Sequence, residues 1–187
     1  VFTRERVMMP LAILASGALL TGCGNHVAEE AEDAGFNQAD VAFATEMMPH
    51  HEQAVEMADL VPDRSDSQEL IELAEEIRQG QEPEIEALTT MLERWGESVP
   101  VSGDGHTDHE MSGMMSEEDM AMLERSDGAE FDRMWMEIMV EHHEGAIDMA
   151  NAQLAEGTSP EASELAEDII EVQEAEIDTM REMLGRR

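Results

Sequence analysis

Two short stretches of this chain carry metal-binding residue types, and they carry them in the same order. Met47-Met48-Pro49-His50-His51-Glu52-Gln53-Ala54-Val55-Glu56-Met57-Ala58 recurs as Met139-Val140-Glu141-His142-His143-Glu144-Gly145-Ala146-Ile147-Asp148-Met149-Ala150, with seven of twelve positions identical. Both histidines and a methionine on either side of them are kept in each copy. Imidazole with thioether is a soft, neutral donor set that suits Cu(I), with Cu(II) accepted through imidazole and nearby carboxylates. Thioethers need no deprotonation, and they serve in oxidising compartments where thiolates are lost to disulfides. The candidate ligands are therefore Met47, His50, His51, Met57, Met139, His142, His143 and Met149.

Helical geometry decides which of these can act together. His50 lies one turn from Met47 and two turns from Met57, so all three share a face. His51 is turned about 100° from His50, onto the shoulder of that face. A methionine stripe at helical spacing is ordinarily flexible core, and a lone histidine in one is ordinarily a hydrogen-bonded core residue. Adjacent histidines duplicated with their flanking methionines are harder to read that way. A second candidate site lies in the segment 97–116, whose glycines, serines and threonines read as a loop: His106, His109, Met111, Met114 and Met115.

The rival chemistry for histidines inside a helical bundle is a carboxylate-bridged dimetal centre, which needs Glu-x-x-His on two helices. Here Met47 and Met139 stand three residues before His50 and His142, while Met48 and Val140 stand before His51 and His143. Glu84 and Glu176 could supply inward carboxylates, but the full set is missing. No nucleophile with partners and no phosphate-binding loop is evident, so no catalytic residue is assigned.

The repeat extends beyond the histidines. Glu72-Leu73-Ala74-Glu75 matches Glu164-Leu165-Ala166-Glu167, and Gln81, Glu84, Ile85 and Met91 match Gln173, Glu176, Ile177 and Met183, all at the same offset of 92 residues. An ungapped duplication of this length predicts two copies of one helical hairpin. The first helix is expected from Asn37 or Asp40 to about Leu60, with Phe43, Met47, His50, Ala54, Met57 and Val61 in one stripe. Pro49 should kink it, and Pro62-Asp63-Arg64-Ser65 reads as its stop and a new cap. The second helix turns Leu70, Leu73, Ile77, Gln81, Ile85, Leu88 and Leu92 inward and closes at Trp95-Gly96. A short helix over Glu117 to Arg125 and a break at Ser126-Asp127-Gly128 follow. The third helix is expected from Ala129 to Ala155 with Phe131, Trp135, Met139, His142, Ala146 and Met149 inside. The fourth, after Gly157-Thr158-Ser159-Pro160, runs to Leu184 with Leu165, Ile169, Gln173, Ile177, Met180 and Leu184 inside. Nothing reads as a strand, and the expected fold is an all-α four-helix bundle.

Composition sets the surroundings. The chain holds 45 Asp and Glu against 10 Lys and Arg, a formal charge of −35 that argues against nucleic acid and against electrostatic docking on anionic lipid. Arg4 and Arg6 precede an apolar run from Val7 to Leu20, too short to span a bilayer but suited to a signal peptide. It ends in Leu20-Thr21-Gly22-Cys23, and the only cysteine stands where a bacterial lipobox would place it. Residues 1–22 are therefore expected to be a lipoprotein signal peptide, with lipid on Cys23 anchoring the chain to the outer face of the cell membrane. Residues 23–36 read as a flexible tether. The bundle occupies 37–187, as a first hairpin 37–96, the Met/His-rich loop 97–116 and a second hairpin 117–187.

The pattern Asp40-x-x-Phe43-x-x-x-Met47-x-x-His50-His51-x-x-Ala54-Val55-x-Met57-Ala58, and its copy from Phe131-Asp132 through Met149-Ala150, resembles the bacterial "domain of unknown function 305" family over residues 36–185. The resemblance implies an exported, ferritin-like four-helix bundle, some members of which bind copper in the periplasm. The reading that follows is a non-enzymatic, exported copper-binding lipoprotein that buffers the metal, confers resistance or hands it on. The alternatives are a membrane-tethered acidic interaction module without metal, with an unknown protein partner, and a ferritin-like dimetal redox protein.

Overall fold

In the computed structural model, residues 35–100 and 112–186 are described. The segment expected to be a signal peptide (1–22), Cys23 and the expected tether as far as residue 34, and His106, His109 and Met111 lie outside the described residues. Five helices follow in order: α1 (Gln38–Arg64), α2 (Gln68–Trp95), α3 (Glu117–Arg125), α4 (Gly128–Glu156) and α5 (Pro160–Gly185), with no strand among the described residues. α1 packs on α2 and α4 on α5 as two hairpins, and α1 packs against α4 to join them. The four long helices make a four-helix bundle, with the crossover through 97–116 between its halves.

Local chemistry explains the ends. Asn37 caps α1, its side chain accepting from the backbone N–H groups of Ala39 and Asp40 while Asp40 accepts from the Asn37 N–H, a reciprocal capping box. Ser116 and Asp119 do the same for α3. α2 ends at Gly96, which takes the left-handed conformation (φ 75°). Pro160 stands in the first turn of α5, where a missing N–H costs nothing. α1 differs from expectation at its far end: it carries both Pro49 and Pro62 internally and runs on to Arg64, with Ser65 as C-cap and Ser67 as the next N-cap. Pro62 is tolerated two residues before the end at Arg64 because the packed face, with Val61 fully buried, outweighs one lost helical hydrogen bond. Phe36 is buried rather than part of a free tether, its ring stacked on Trp95 at 4.9 Å.

The expected stripe of α1 is buried throughout. On α5 the inward face is rotated slightly, so that Ala162, Ala166 and Met183 are buried while Leu165 and Leu184 are only partly covered. On α2 and α4, Ile85 and Met149 are likewise only partly buried.

The core divides into two apolar clusters. One gathers Met57, Val61, Leu70, Ile77, Phe131, Trp135 and Met139, and the other Phe43, Met47, Leu88, Leu92, Ala146 and Ile169, with Met149 against it. α1 and α4 run antiparallel: Trp135 Nε1–H donates to the Met57 carbonyl at 2.9 Å, and Asn37 reaches the Glu156 carbonyl at the other end. Each cluster thus receives one stripe methionine from each histidine helix. Between the clusters, each long helix passes a polar position: His50 with His51 on α1, Gln81 on α2, His142 with His143 on α4, and Gln173 on α5. All are buried. A continuous hydrophobic core is thereby interrupted at mid-height by one polar layer.

Candidate metal centre

The centre of that layer is the seam between α1 and α4, where the His50 and His142 rings lie face against face with centroids 3.7 Å apart, tilted by 37°. Neither is exposed beyond 1%. His50 Nε2–H donates to the Ser112 carbonyl at 3.2 Å, and its Nδ1 has no hydrogen-bond partner. Neither nitrogen of His142 makes a hydrogen bond of good geometry, although the His50 backbone lies near enough to favour its charged form slightly. Burial pushes the His50 imidazole from its ordinary 6.5 down to about 3, with His51 and His143 adding to the shift and the Ser112 bond opposing it. Burial likewise holds His142 well below its ordinary value, with smaller contributions from His50, His143 and His51. Both rings are therefore neutral at physiological pH, with lone pairs turned into the protein.

The second histidine of each motif does something different. Being turned about 100° round the helix, it faces the partner helix of its own hairpin. His51 Nε2 donates to Glu84 at 2.6 Å, and His143 Nε2 donates to Glu176 at 2.7 Å. The two pairs have the same spacing and nearly the same geometry, so the duplication is exact in structure as well as sequence here. Both imidazoles are fully buried, while Glu84 and Glu176 keep 19% and 14% of their side-chain surface. A carboxylate only accepts, so Nε2 of each ring carries a proton. Nδ1 of both rings is buried and unpartnered. A carboxylate behind an imidazole is how ligating histidines are commonly oriented and made more basic.

The duplicated motif supplies four imidazoles. The structure joins two, His50 and His142, and turns His51 and His143 outward to carboxylates; the His142 and His143 rings are 6.4 Å apart. Among the described residues, no three His, Cys, Asp or Glu side chains converge as a metal-binding set. Within the described residues, the soft donors that flank His50 and His142 along their helices are thioethers. Met47 and Met139 are fully buried one turn before the two histidines, and Met57 and Met149 follow two turns later. The dimetal alternative lacks its carboxylates at the seam, for Met47 and Met139 occupy those turns. Of the second candidate site, Met114 and Met115 are described, both partly buried beside the seam.

Gln81 and Gln173 complete the layer, buried to 4% and 2% exposure, with both polar atoms of Gln81 and the Gln173 oxygen unpartnered. Sequence reading placed them in the apolar stripe without giving them a role. The sequence marks Glu84 and Glu176 as possible inward carboxylates but does not name their partners. The signal was present, since each glutamate follows its histidine by 33 residues in both copies.

Fold and layer define a class: a duplicated four-helix bundle whose core is divided by buried imidazoles between methionines. The chain belongs to the "Domain of unknown function (DUF305)" family, whose sequence profile matches residues 40–184. Among solved structures it is similar to a DUF305 protein from Streptomyces coelicolor, at 35% identity over 79% of this chain and 91% of that one, with a TM-score of 0.71. A DUF305 fragment from Deinococcus radiodurans is 32% identical over 81% of this chain and 98% of its own, also with a TM-score of 0.71. CopM, solved in a Cu(I)-bound form, is 30% identical over 79% of this chain and 96% of its own, with a TM-score of 0.67. CopM has also been solved bound to Cu(II) and to silver. A search of curated proteins finds no match. No helix among the described residues is long and apolar enough to cross a membrane.

Proposed function

We propose that this protein binds copper, preferentially Cu(I), at the seam between α1 and α4, using His50 and His142 with thioethers from Met47, Met57, Met139 and Met149. The observation that carries the reading is the pair of buried, closely packed, neutral imidazoles with three ring nitrogens left without good partners. Leaving a buried polar atom unpaired costs about 1–3 kcal/mol, and a fold that keeps three at one point retains them against that cost. A soft monovalent ion fits the place better than a divalent one. Thioether and imidazole are its preferred donors, and a single charge is less expensive to desolvate among apolar side chains. His51 and His143, each backed by a glutamate, form the flanks of the layer and accept Cu(II) more readily, since imidazole and carboxylate both tolerate it. The similarity to CopM supports the choice of metal. The sequence pattern that ends at Cys23 supports an exported, lipid-anchored protein that buffers or hands on copper outside the cytoplasm. The exposed large hydrophobics Met122, Leu154 and Val172 lie on three different helices, and nothing in the described residues favours the interaction-module alternative.

The test is an anaerobic competition titration of the metal-free protein with Cu(I) against a chromogenic chelator. Stoichiometric binding by the parent, lost in the His50→Ala/His142→Ala variant, is expected. Equal affinity in parent and variant would return the histidines to the core.

A further inference from the structure

The end of the crossover, Ser112 to Ser116, is held against the histidine seam at three points. The Ser112 carbonyl accepts from His50 Nε2–H. Gln53, three residues beyond His50 on α1, clasps Met115 with both ends of its amide: Nε2 donates to the Met115 carbonyl at 3.0 Å, and Oε1 accepts from the Met115 N–H at 2.8 Å. Gly113, at φ +77°, lies so close on α4 that a Cβ there would sit 2.8 Å from the Glu141 carbonyl, 2.9 Å from Gly145 Cα and 3.0 Å from the His142 carbonyl. The contact is tight from the other side too, for a Cβ on Gly145 would overlap the backbone of Ser112.

Gln53 and Gly145 occupy the same position of the duplicated motif, one of the five of twelve at which its copies differ. One copy carries an amide long enough to grip a passing strand of chain; the other carries no side chain, so that the strand can lie on it. The consequence falls on the histidines. His50 gains a backbone acceptor, whereas its counterpart His142 has neither nitrogen in a good hydrogen bond. A carbonyl oxygen only accepts, so His50 must carry its proton on Nε2.

We propose that Gln53 and Gly145 are positioning residues for the seam: by seating the Ser112 carbonyl on His50 they lock that ring as the Nε2–H tautomer and make Nδ1 its metal-binding atom. His142 is left free to offer either nitrogen. The two halves of a symmetric fold thereby become one oriented ligand and one adaptable one. The assignment of Nδ1 as a ligand atom rests on the copper reading above; the seating does not.

The experiment uses the full chain as parent, Gly145→Ala and Gln53→Leu. Long-range proton–nitrogen NMR of the metal-free protein reads the tautomer of His50, and Cu(I) competition reads affinity. The parent should show His50 in a single Nε2–H state. Each variant should show a mixture of tautomers and a Cu(I) affinity lower by about 10- to 100-fold, the range for losing a partner behind a ligating histidine. Gln53→Leu introduces no overlap with the crossover, so it decides the matter if Gly145→Ala does not fold. A parent with His50 protonated on Nδ1, or variants that keep the pure Nε2–H state, would overturn the seating. A parent that shows the locked tautomer but binds no Cu(I) would overturn the copper reading and support the seating alone.

Discussion

Replacing His142 by leucine separates a ligand from a structural histidine, because the two roles demand opposite changes in stability. His142 is 1% exposed, and neither ring nitrogen has a good partner. Two unpaired polar atoms at about 1–3 kcal/mol each set the gain from removing them. The loss of ring contact with His50, 3.7 Å away, and imperfect filling by a branched side chain offset part of it. Leucine also has the better helix propensity by a few tenths of a kcal/mol. The net expectation is a metal-free protein more stable by about 2 kcal/mol, which for a chain of this size raises Tm by about 4–8 °C. Urea unfolding at neutral pH with chelator present, followed by circular dichroism, measures it; an unchanged slope would show that the unfolded state is unaltered. Cu(I) affinity should fall by more than about 100-fold, the upper range for losing only an outer-shell partner. Destabilisation by about 1 kcal/mol or more, near what one satisfied hydrogen bond contributes, would refute the reasoning, for it would mean that the fold itself satisfies the ring.

The same residues set a pH dependence. Between about pH 6.5 and 3 the unfolded chain holds a proton on His50 that the folded chain rejects, so stability falls as pH falls through that window, by about 1.4 kcal/mol per unit once well below 6.5; His142 acts in the same direction. Acidification also relieves the repulsion of a chain of charge −35, so the measurement is the difference in urea midpoint between the parent and a His50→Leu/His142→Leu variant. That difference should widen from pH 7 to pH 5, and a constant difference would show that the rings are not buried neutral. At the end of the bundle, Asp40 is fully buried and accepts from the backbone N–H groups of Asn37, Thr158 and Ser159 and from the Gln153 side chain. Burial pushes its pKa up, but these bonds outweigh it and the carboxyl is held below its usual value. Asp40→Ala should cost about 3 kcal/mol or more by stranding those donors, seen as a Tm lower by about 6–12 °C; a loss under about 1 kcal/mol would mean that water replaces the carboxylate.

Much of the architecture is a local property, and local properties are legible in a sequence. The stripe of Phe43, Met47, His50, Ala54, Met57 and Val61 follows from a period of 3.6 residues, and the caps at Ser116 and Gly96 follow from side-chain reach and from φ. The offset of 92 residues between the two Met-x-x-His-His motifs required two equivalent hairpins. Where local signals were overruled, packing was the cause: Pro62 stayed inside α1, and alanines replaced leucines on the buried face of α5. That the duplicated motif puts one imidazole of each copy on the stripe and one on its shoulder was likewise decided by the helix alone.

What faced each histidine was not local. His50 meets Ser112 across 62 residues of chain, His51 meets Glu84 across 33, and His50 meets His142 across 92. Those meetings depend on the rotation of each helix about its axis and on the depth at which α1 and α4 interlock, and close packing sets both through every side chain at once. A sequence period gives the direction in which a side chain leaves its helix and says nothing of what stands opposite. Only the folded bundle could show that two of the four imidazoles pack closely against each other while the other two are each held by a carboxylate, and that a segment of the crossover, fitted between Gln53 and Gly145, makes the two halves of the duplication unequal.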